Sequence, residues 1–304
     1  MDITIVIPVL NRKALLRRTL ESIKRSPLGT VPVIVADNGS TDGTLEFLSE
    51  YVQSNPHVRF VEEPVRSAAA ARNRGLSMVT TTWVYFFDSD DEFEDIPHSW
   101  NQDNDLVCFP TRQKRENKVK VRSYIPTADP AVQITNSMLN TISMIFRTSW
   151  LKSIGGWNAD CKVWDDWELG TRALIAAPKM QWLTEKAYHT VNIHTDSITG
   201  PSFKSRYKHQ LNTISHVINS IQTCAPQLRE RCTRAIVYRI CILRGKLLYE
   251  GDKKAAAECS RFLKEEFNGR PTGIVYGKLL EFYTSLGGPG AWRLALNDIK
   301  KKKK

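Results

Sequence analysis

The chain has 304 residues, of which 41% are hydrophobic and 25% charged, so it can bury a full core as one large domain or as a domain with an appendage. Its net charge of +11 is unevenly spread: residues 1–200 carry 22 Lys and Arg against 24 Asp and Glu, and residues 201–304 carry 21 against 8. The basic excess therefore describes the C-terminal region and not the acidic segments that precede it, and no nucleic-acid partner is expected.

Ile3–Ile7 is a β-branched run stopped by Pro8, which reads as a buried strand with a hard end. Asn11 is placed to cap the helix that follows, where Leu16, Leu20 and Ile23 fall at helical spacing until Pro27 and Gly29. Val31–Ala36 reads as a second buried strand that ends in acid, running into Asp37, Asn38, Gly39, Ser40 and Asp42. A helix with Leu45, Leu48 and Val52 on one face leads to a third strand at Val58–Val61. The alanine-rich stretch Ser67–Met78 carries Arg72, Asn73 and Arg74 and is helical by propensity. A fourth run, Trp83–Phe87, is apolar and aromatic, too short for a helix, and enters Asp88, Asp90 and Asp91 directly.

Shorter strands are expected after that, at Leu106–Phe109, Val119–Tyr124, Met144–Phe146 and Tyr188–Ile193. Between them lie two helices, one at Trp150–Ile154 with Ser149 as its cap and one opened by Asp165 and Asp166 and ended by Pro178. Gly200–Pro201 marks the expected domain boundary, which divides the chain into 1–200 and 201–304. Beyond it three or four helices and a frayed tail of lysines are expected. The fold class read from the alternation of strand and helix is α/β: a mostly parallel, Rossmann-like sheet with helices on both faces, followed by a helical C-terminal region.

The six cysteines show neither CxxC nor metal-finger spacing and read as reduced core thiols. No basic n-region or cleavage site opens the sequence, and no apolar run approaches about 18 residues. A soluble, cytoplasmic chain is expected. Peripheral contact with the inner face of the cytoplasmic membrane is a further expectation, carried by the basic region with Trp292 and Leu294.

Strands that end in acid present carboxylates at the carboxyl edge of a sheet, where open α/β sheets bind ligands. Asp88 and Asp90, alternate in sequence, suit a hard divalent cation that keeps waters and grips a phosphate. A solvated acidic turn is the plainer reading of the same residues. No GxGxxG follows the first strand and no Walker A loop occurs, so a glycine-rich phosphate cradle is excluded and a metal is the natural candidate for the grip.

Six segments in order resemble the family 2 glycosyltransferases, inverting enzymes of the GT-A fold: Ile7–Asn11, Val35–Thr44, Ala71–Gly75, Phe87–Asp91, Gly155–Trp157 and Asp165–Leu169. The resemblance covers residues 1–200. It implies that Asp37 reads the base of a nucleotide diphosphate sugar, with UDP the expected nucleotide, that Pro8 and Asn11 wall the nucleoside pocket, and that Asn38 and Ser40 lie near it. Arg72 falls where the family has a basic residue near the diphosphate. Asp88 and Asp90 match its DXD motif, whose last carboxylate ligates Mn²⁺ or Mg²⁺ while the first meets ribose or a metal-bound water. His194 matches a further metal ligand, with His189 as its competitor. Asp165 and Asp166 match an acidic pair at a helix start, the second being the general base. The chain departs from the family at Leu10, where an aromatic is common, at Asn38, where Asp is common, and at Asp165, where Glu is usual.

The implied activity is metal-dependent, inverting transfer of a sugar from a nucleotide diphosphate sugar to a hydroxyl of a glycan or lipid-linked saccharide, in surface polysaccharide biosynthesis. Two alternatives stand beside it. A nucleotidyltransferase also uses acid-ended strands and Mg²⁺, though it usually wants a lysine-rich first loop. A non-catalytic sugar-nucleotide-binding scaffold would have no use for a base at Asp166.

Overall fold

The computed structural model describes residues 1–115, 118–122, 124–192, 203–268 and 271–301. The chain divides into two compact units: Met1–Pro126 with Leu139–Lys162 and Pro178–Ser197, and Thr127–Met138 with Val163–Ala177 and Ile198–Lys304. Gly200 and Pro201, the expected boundary, lie outside the described residues. The helical unit takes in two segments that precede them.

The first unit opens with β1 (Ile3–Val9), α1 (Lys13–Arg25), β2 (Val33–Asp37), α2 (Thr44–Ser54), β3 (Val58–Glu62), α3 (Ala68–Ser77) and β4 (Trp83–Phe86). It continues with β5 (Leu106–Cys108), β6 (Arg112–Arg115) and β7 (Lys118–Val121). The helical unit contributes α4 (Pro130–Asn136), after which the first unit resumes with β8 (Met144–Arg147) and α5 (Thr148–Ser153). Next in the chain come α6 (Asp165–Ile175) of the helical unit, then β9 (Met180–Trp182) and β10 (Thr190–Asn192) of the first. The seven-stranded sheet runs β3-β2-β1-β4-β8-β5-β9, parallel except that β8 is antiparallel to β4 and β5. A separate sheet runs β10-β6-β7.

The central strands form because β-branched runs are buried on both faces: every residue of β1, β2 and β4 is buried. Leu16, Leu20 and Ile23 of α1 pack on this core, and Lys24 and Arg25 sit at the helix end where the dipole favours cations. One glycine sets how closely a helix can approach. A Cβ on Gly75 of α3 would stand 2.4 Å from a Val6 methyl, so α3 lies against β1 only because residue 75 has no side chain.

Several local expectations are corrected. Asn11 does not cap α1: Arg12 is the N-cap residue, its side chain making no capping hydrogen bond to the helix, and Asn11 is left-handed (φ 51°) with its Oδ1 accepting from Thr41 N–H. Ser149 lies inside α5 and not at its cap. The strand expected at Val119–Tyr124 is Lys118–Val121, with all four residues exposed in the small sheet. β6, β9 and α4 have no counterpart among the expected elements.

In the helical unit the last five helices are α7 (Tyr207–Ile221), α8 (Pro226–Tyr249), α9 (Lys253–Phe267), α10 (Ile274–Ser285) and α11 (Ala291–Lys301), more than the three or four expected. The supposed frayed tail is helical as far as Lys301. Buried Ile214, Val217, Ile236, Ile240, Leu243 and Leu247 form its core.

Candidate functional site

The chain runs from β1 outward to β2 and β3, then returns to β4 on the other side of β1. The connection therefore switches direction at the β1–β4 boundary, the place where open sheets bind ligands at their carboxyl ends. The register lines up what lies there. Asp37 pairs with Val9, and Phe87 N–H donates to Val6 O, which puts Asp88 level with Pro8. Asp37 and Asp88 thus flank β1 at two strand spacings, about 10 Å in all.

Asp37 is fully buried. Its Oδ2 accepts the backbone N–H groups of Gly39 (3.0 Å) and Ser40 (2.9 Å), while its Oδ1 has no hydrogen-bond partner among the described residues. Asn38 spends its side chain internally: both amide hydrogens go to the Glu63 and Val65 carbonyls (2.9 and 2.7 Å), and Oδ1 accepts from Ser67 N–H (2.8 Å). It braces the β3–α3 connection against the β2 loop. Ser40 Oγ accepts from Asn11 N–H at 2.9 Å, and Asp42 Oδ2 from Lys13 N–H at 3.0 Å. The Lys13 N–H first, then the Thr44 hydroxyl, hold the Asp42 carboxyl below its ordinary range. These bonds tie the loop after β1 to the loop after β2.

The β4 carboxylates meet arginines. Arg12 pairs with Asp90, and Arg72 Nη2 lies 2.9 Å from Asp88 Oδ1. Arg72 is itself buried, with its guanidinium 4.4 Å from the Trp157 ring centroid. Asn73, next along α3, closes a two-way clamp on the same residue: Nδ2 donates to Trp157 O (2.7 Å) and Oδ1 accepts Trp157 N–H (2.9 Å). Gly156 has φ +64°, and a Cβ there would lie 2.7 Å from Asn73 Oδ1, so the Gly155-Gly156-Trp157 turn needs its second glycine.

His189 is a core residue. It is fully buried among Tyr85, Phe87, Phe93 and Phe109, with Tyr85 stacked on it at 5.7 Å. Burial, reinforced by the Arg112 charge, pushes its imidazole down to about 3, so it is neutral near pH 7. His194 lies outside the described residues. Among those described, no group of three His, Cys, Asp or Glu side chains is gathered to hold a metal ion.

In the helical unit, Asp165 and Asp166 open α6. Asp165 Oδ1 accepts Asp166 N–H (3.1 Å) and Asp166 Oδ1 accepts Trp167 N–H (2.7 Å), while Trp164 before them is left-handed (φ 58°, ψ 28°). A bulky residue in that region is uncommon and is held by its surroundings. Arg239 of α8 supplies them. Its guanidinium lies 4.1 Å and 4.3 Å from the Trp164 and Trp167 rings and donates to Ile134 O and Ser137 Oγ. Burial draws the Arg239 guanidinium below its ordinary range, with the charge of Asp166 pulling the other way. The sequence pattern does not point to Arg239, because its partners at 134, 137, 164 and 167 are remote in the chain.

Residues 4–149 match the model of glycosyl transferase family 2. The chain carries a family 2 glycosyl transferase domain. The matched segment contains Pro8, Asn11, Asp37, Arg72, Asp88 and Asp90, and Asp165 and Asp166 lie beyond it. An uncharacterized glycosyltransferase, YibD of Escherichia coli K12, is 33% identical over 90 residues, a stretch that makes up 30% of this chain and 26% of YibD. Among solved structures, S. aureus TarS 1–349 in complex with UDP is 15% identical, covers 99% of this chain and 92% of that one, and has a TM-score of 0.67. The mannosyltransferase PcManGT of Pyrobaculum calidifontis, in complex with GDP-Man and Mn²⁺, is 16% identical, covers 99% and 86%, and has a TM-score of 0.55. These likenesses establish the fold of the family 2 domain as the GT-A type, a mostly parallel sheet flanked by helices.

Proposed function

We propose that the chain is an inverting, metal-dependent glycosyltransferase that moves a sugar from a UDP-linked donor to a hydroxyl of a glycan or lipid-linked saccharide in surface polysaccharide assembly. Asp37 carries the reading. Leaving a buried acceptor open costs about 1–3 kcal/mol, and the N3–H of uracil is a donor of the kind Asp37 Oδ1 lacks. Its position at the strand edge, fixed by two backbone N–H groups, suits a reader of a base. Pro8 and Asn11 form the neighbouring wall, and Asn38 and Ser40 hold the loops in place. Arg12 and Arg72 bring positive charge to the edge where a diphosphate would lie.

The donor set fits a hard divalent ion. Asp88 and Asp90 offer carboxylate oxygens on side chains 33% and 20% exposed, and a cation held by one or two carboxylates takes its remaining ligands from phosphate and water. Mn²⁺ or Mg²⁺ would be held by Asp90 with Asp88 in support, His194 being a further proposed ligand from the sequence pattern. When bound it would supply positive charge where the leaving diphosphate gains negative charge. Asp166, with Asp165 beside it, is the proposed base that takes the proton of the acceptor hydroxyl, on the strength of its place in the sequence pattern. The basic composition of the helical unit favours an anionic or lipid-carried acceptor. Six free, buried cysteines support a reducing, cytoplasmic setting.

A thermal-shift series with nucleotide sugars, with and without Mn²⁺, tests the reading. UDP-linked sugars are expected to stabilise the chain most, and only with the cation. Asp37→Ala is expected to remove that stabilisation. Equal stabilisation by every nucleotide, or full transfer in excess chelator, would overturn the donor or the metal assignment respectively.

A further inference from the structure

Outside the carboxyl edge of the sheet, the most unusual surface belongs to the helical unit. Val275, Leu279, Phe282 and Leu286 recur at three- and four-residue spacing along α10 and its C-cap, which places them on one face. That face is open: they are 78%, 60%, 65% and 70% exposed. The helix buries its other side, Gly277, Leu280, Glu281 and Thr284. Exposed Tyr249 continues the stripe, its ring lying against Gly287. An apolar hollow of about 450 Å³, lined by Tyr238, Ile274, Val275, Tyr276 and Leu279 among others, opens at the other end.

A cationic border accompanies the stripe. On α11, Arg293, Leu294, Asn297, Lys300 and Lys301 are exposed together, and Leu294 O accepts the Tyr276 hydroxyl at 3.3 Å, which sets this face beside α10. Lys278 of α10 is paired with Glu281 at 2.9 Å, and exposed Lys253 and Lys254 follow Tyr249 at the start of α9.

We propose that this face docks on an anionic lipid surface, with Val275, Leu279, Phe282 and Leu286 entering the interface and the bordering Lys and Arg meeting the headgroups. Charge decides the occupant. Residues 201–304 carry 21 basic against 8 acidic side chains, so a second copy would bring like charge against like. An anionic bilayer offers the opposite sign and an apolar layer beneath it, the combination that interfacial helices of this kind use. The inference goes beyond the transferase reading and does not depend on it.

Flotation of the full chain with phosphatidylcholine vesicles carrying about 30% phosphatidylglycerol tests it. Binding to these vesicles is expected to exceed binding to pure phosphatidylcholine by at least about tenfold and to weaken as salt rises. The Phe282→Glu/Leu286→Glu variant changes only exposed positions and is expected to lose at least about tenfold in binding, with circular dichroism and melting midpoint unchanged. Lys300→Ser/Lys301→Ser is expected to lose less. Absence of wild-type binding, or binding that the Phe282→Glu/Leu286→Glu variant retains, would overturn the proposal. Concentration-dependent dimerisation in sedimentation velocity that the same variant abolishes would also overturn it, reassigning the face to a second copy.

Discussion

Each of the two units fixes an arginine against tryptophan within reach of an aspartate's charge, and they do so by different routes. In the sheet unit, Arg72 stacks on Trp157 and pairs directly with Asp88, and the strand, helix and turn involved are neighbours around one edge. In the helical unit, Arg239 lies between Trp164 and Trp167, bonds Ile134 O and Ser137 Oγ, and feels Asp166. Both cations are held by aromatic faces and hydrogen bonds. The sheet unit uses its arginine to balance a carboxylate at the carboxyl edge of the sheet. The helical unit uses its arginine to hold a strained helix start.

The sharpest way to separate these roles is at the carboxylates. Asp166→Asn is expected to lower sugar transfer by about 10²- to 10⁴-fold while leaving UDP binding by calorimetry unchanged. Equal loss of both would make Asp166 a structural residue of α6. Next come the arginines, compared by urea unfolding. Arg72→Met removes a charge partner of Asp88 and the cation on the Trp157 face, at an expected cost of about 3 kcal/mol. Arg239→Met exchanges a cation that burial already disfavours for an apolar chain of similar length, and about 1 kcal/mol is expected. The reverse order would break the comparison.

An effect intermediate between those of the two arginine substitutions follows from His189. Its folded-state pKa is depressed to about 3, so the unfolded chain binds the extra proton first as pH falls. The resulting stability is fully present above about pH 6.5 and is lost progressively below it, by about 2 kcal/mol at pH 5. Unfolding curves at pH 7 and pH 5 should show the difference, and His189→Phe should flatten it. Gly156→Ala, which strains a left-handed turn and displaces Asn73 from Trp157, is expected to cost as little as Arg239→Met, about 1 kcal/mol by thermal melting.

Much of the sheet was legible because its strands are β-branched or aromatic runs that end abruptly in proline or acid. Ile3–Ile7, Val31–Ala36 and Trp83–Phe87 announce both a strand and its carboxyl edge, so Asp37, Asp88 and Asp90 fall along one side of the sheet as the pattern requires. What escaped had no such signal. Arg112–Arg115 contains no apolar residue, and its strand exists because β7 and β10 pair with it. Asn11 looks like a helix cap, yet the β2 loop competes for its side chain and wins. Arg239 sits in a long helix of near-uniform appearance, and only the folded unit brings the two tryptophans to it. Trp164 gives no hint of a left-handed backbone, which glycine or asparagine would have given.

Gly75 contributes no atom to any reaction, yet it governs the reach of Arg72. The two residues are separated by less than one helical turn, and α3 can rest on β1 only while residue 75 lacks a Cβ. A larger residue would wedge against Val6 and lift the helix, carrying the guanidinium away from Asp88 and loosening the hold on Trp157. The absence of one methyl group is what calibrates the spacing of charges at the sheet edge.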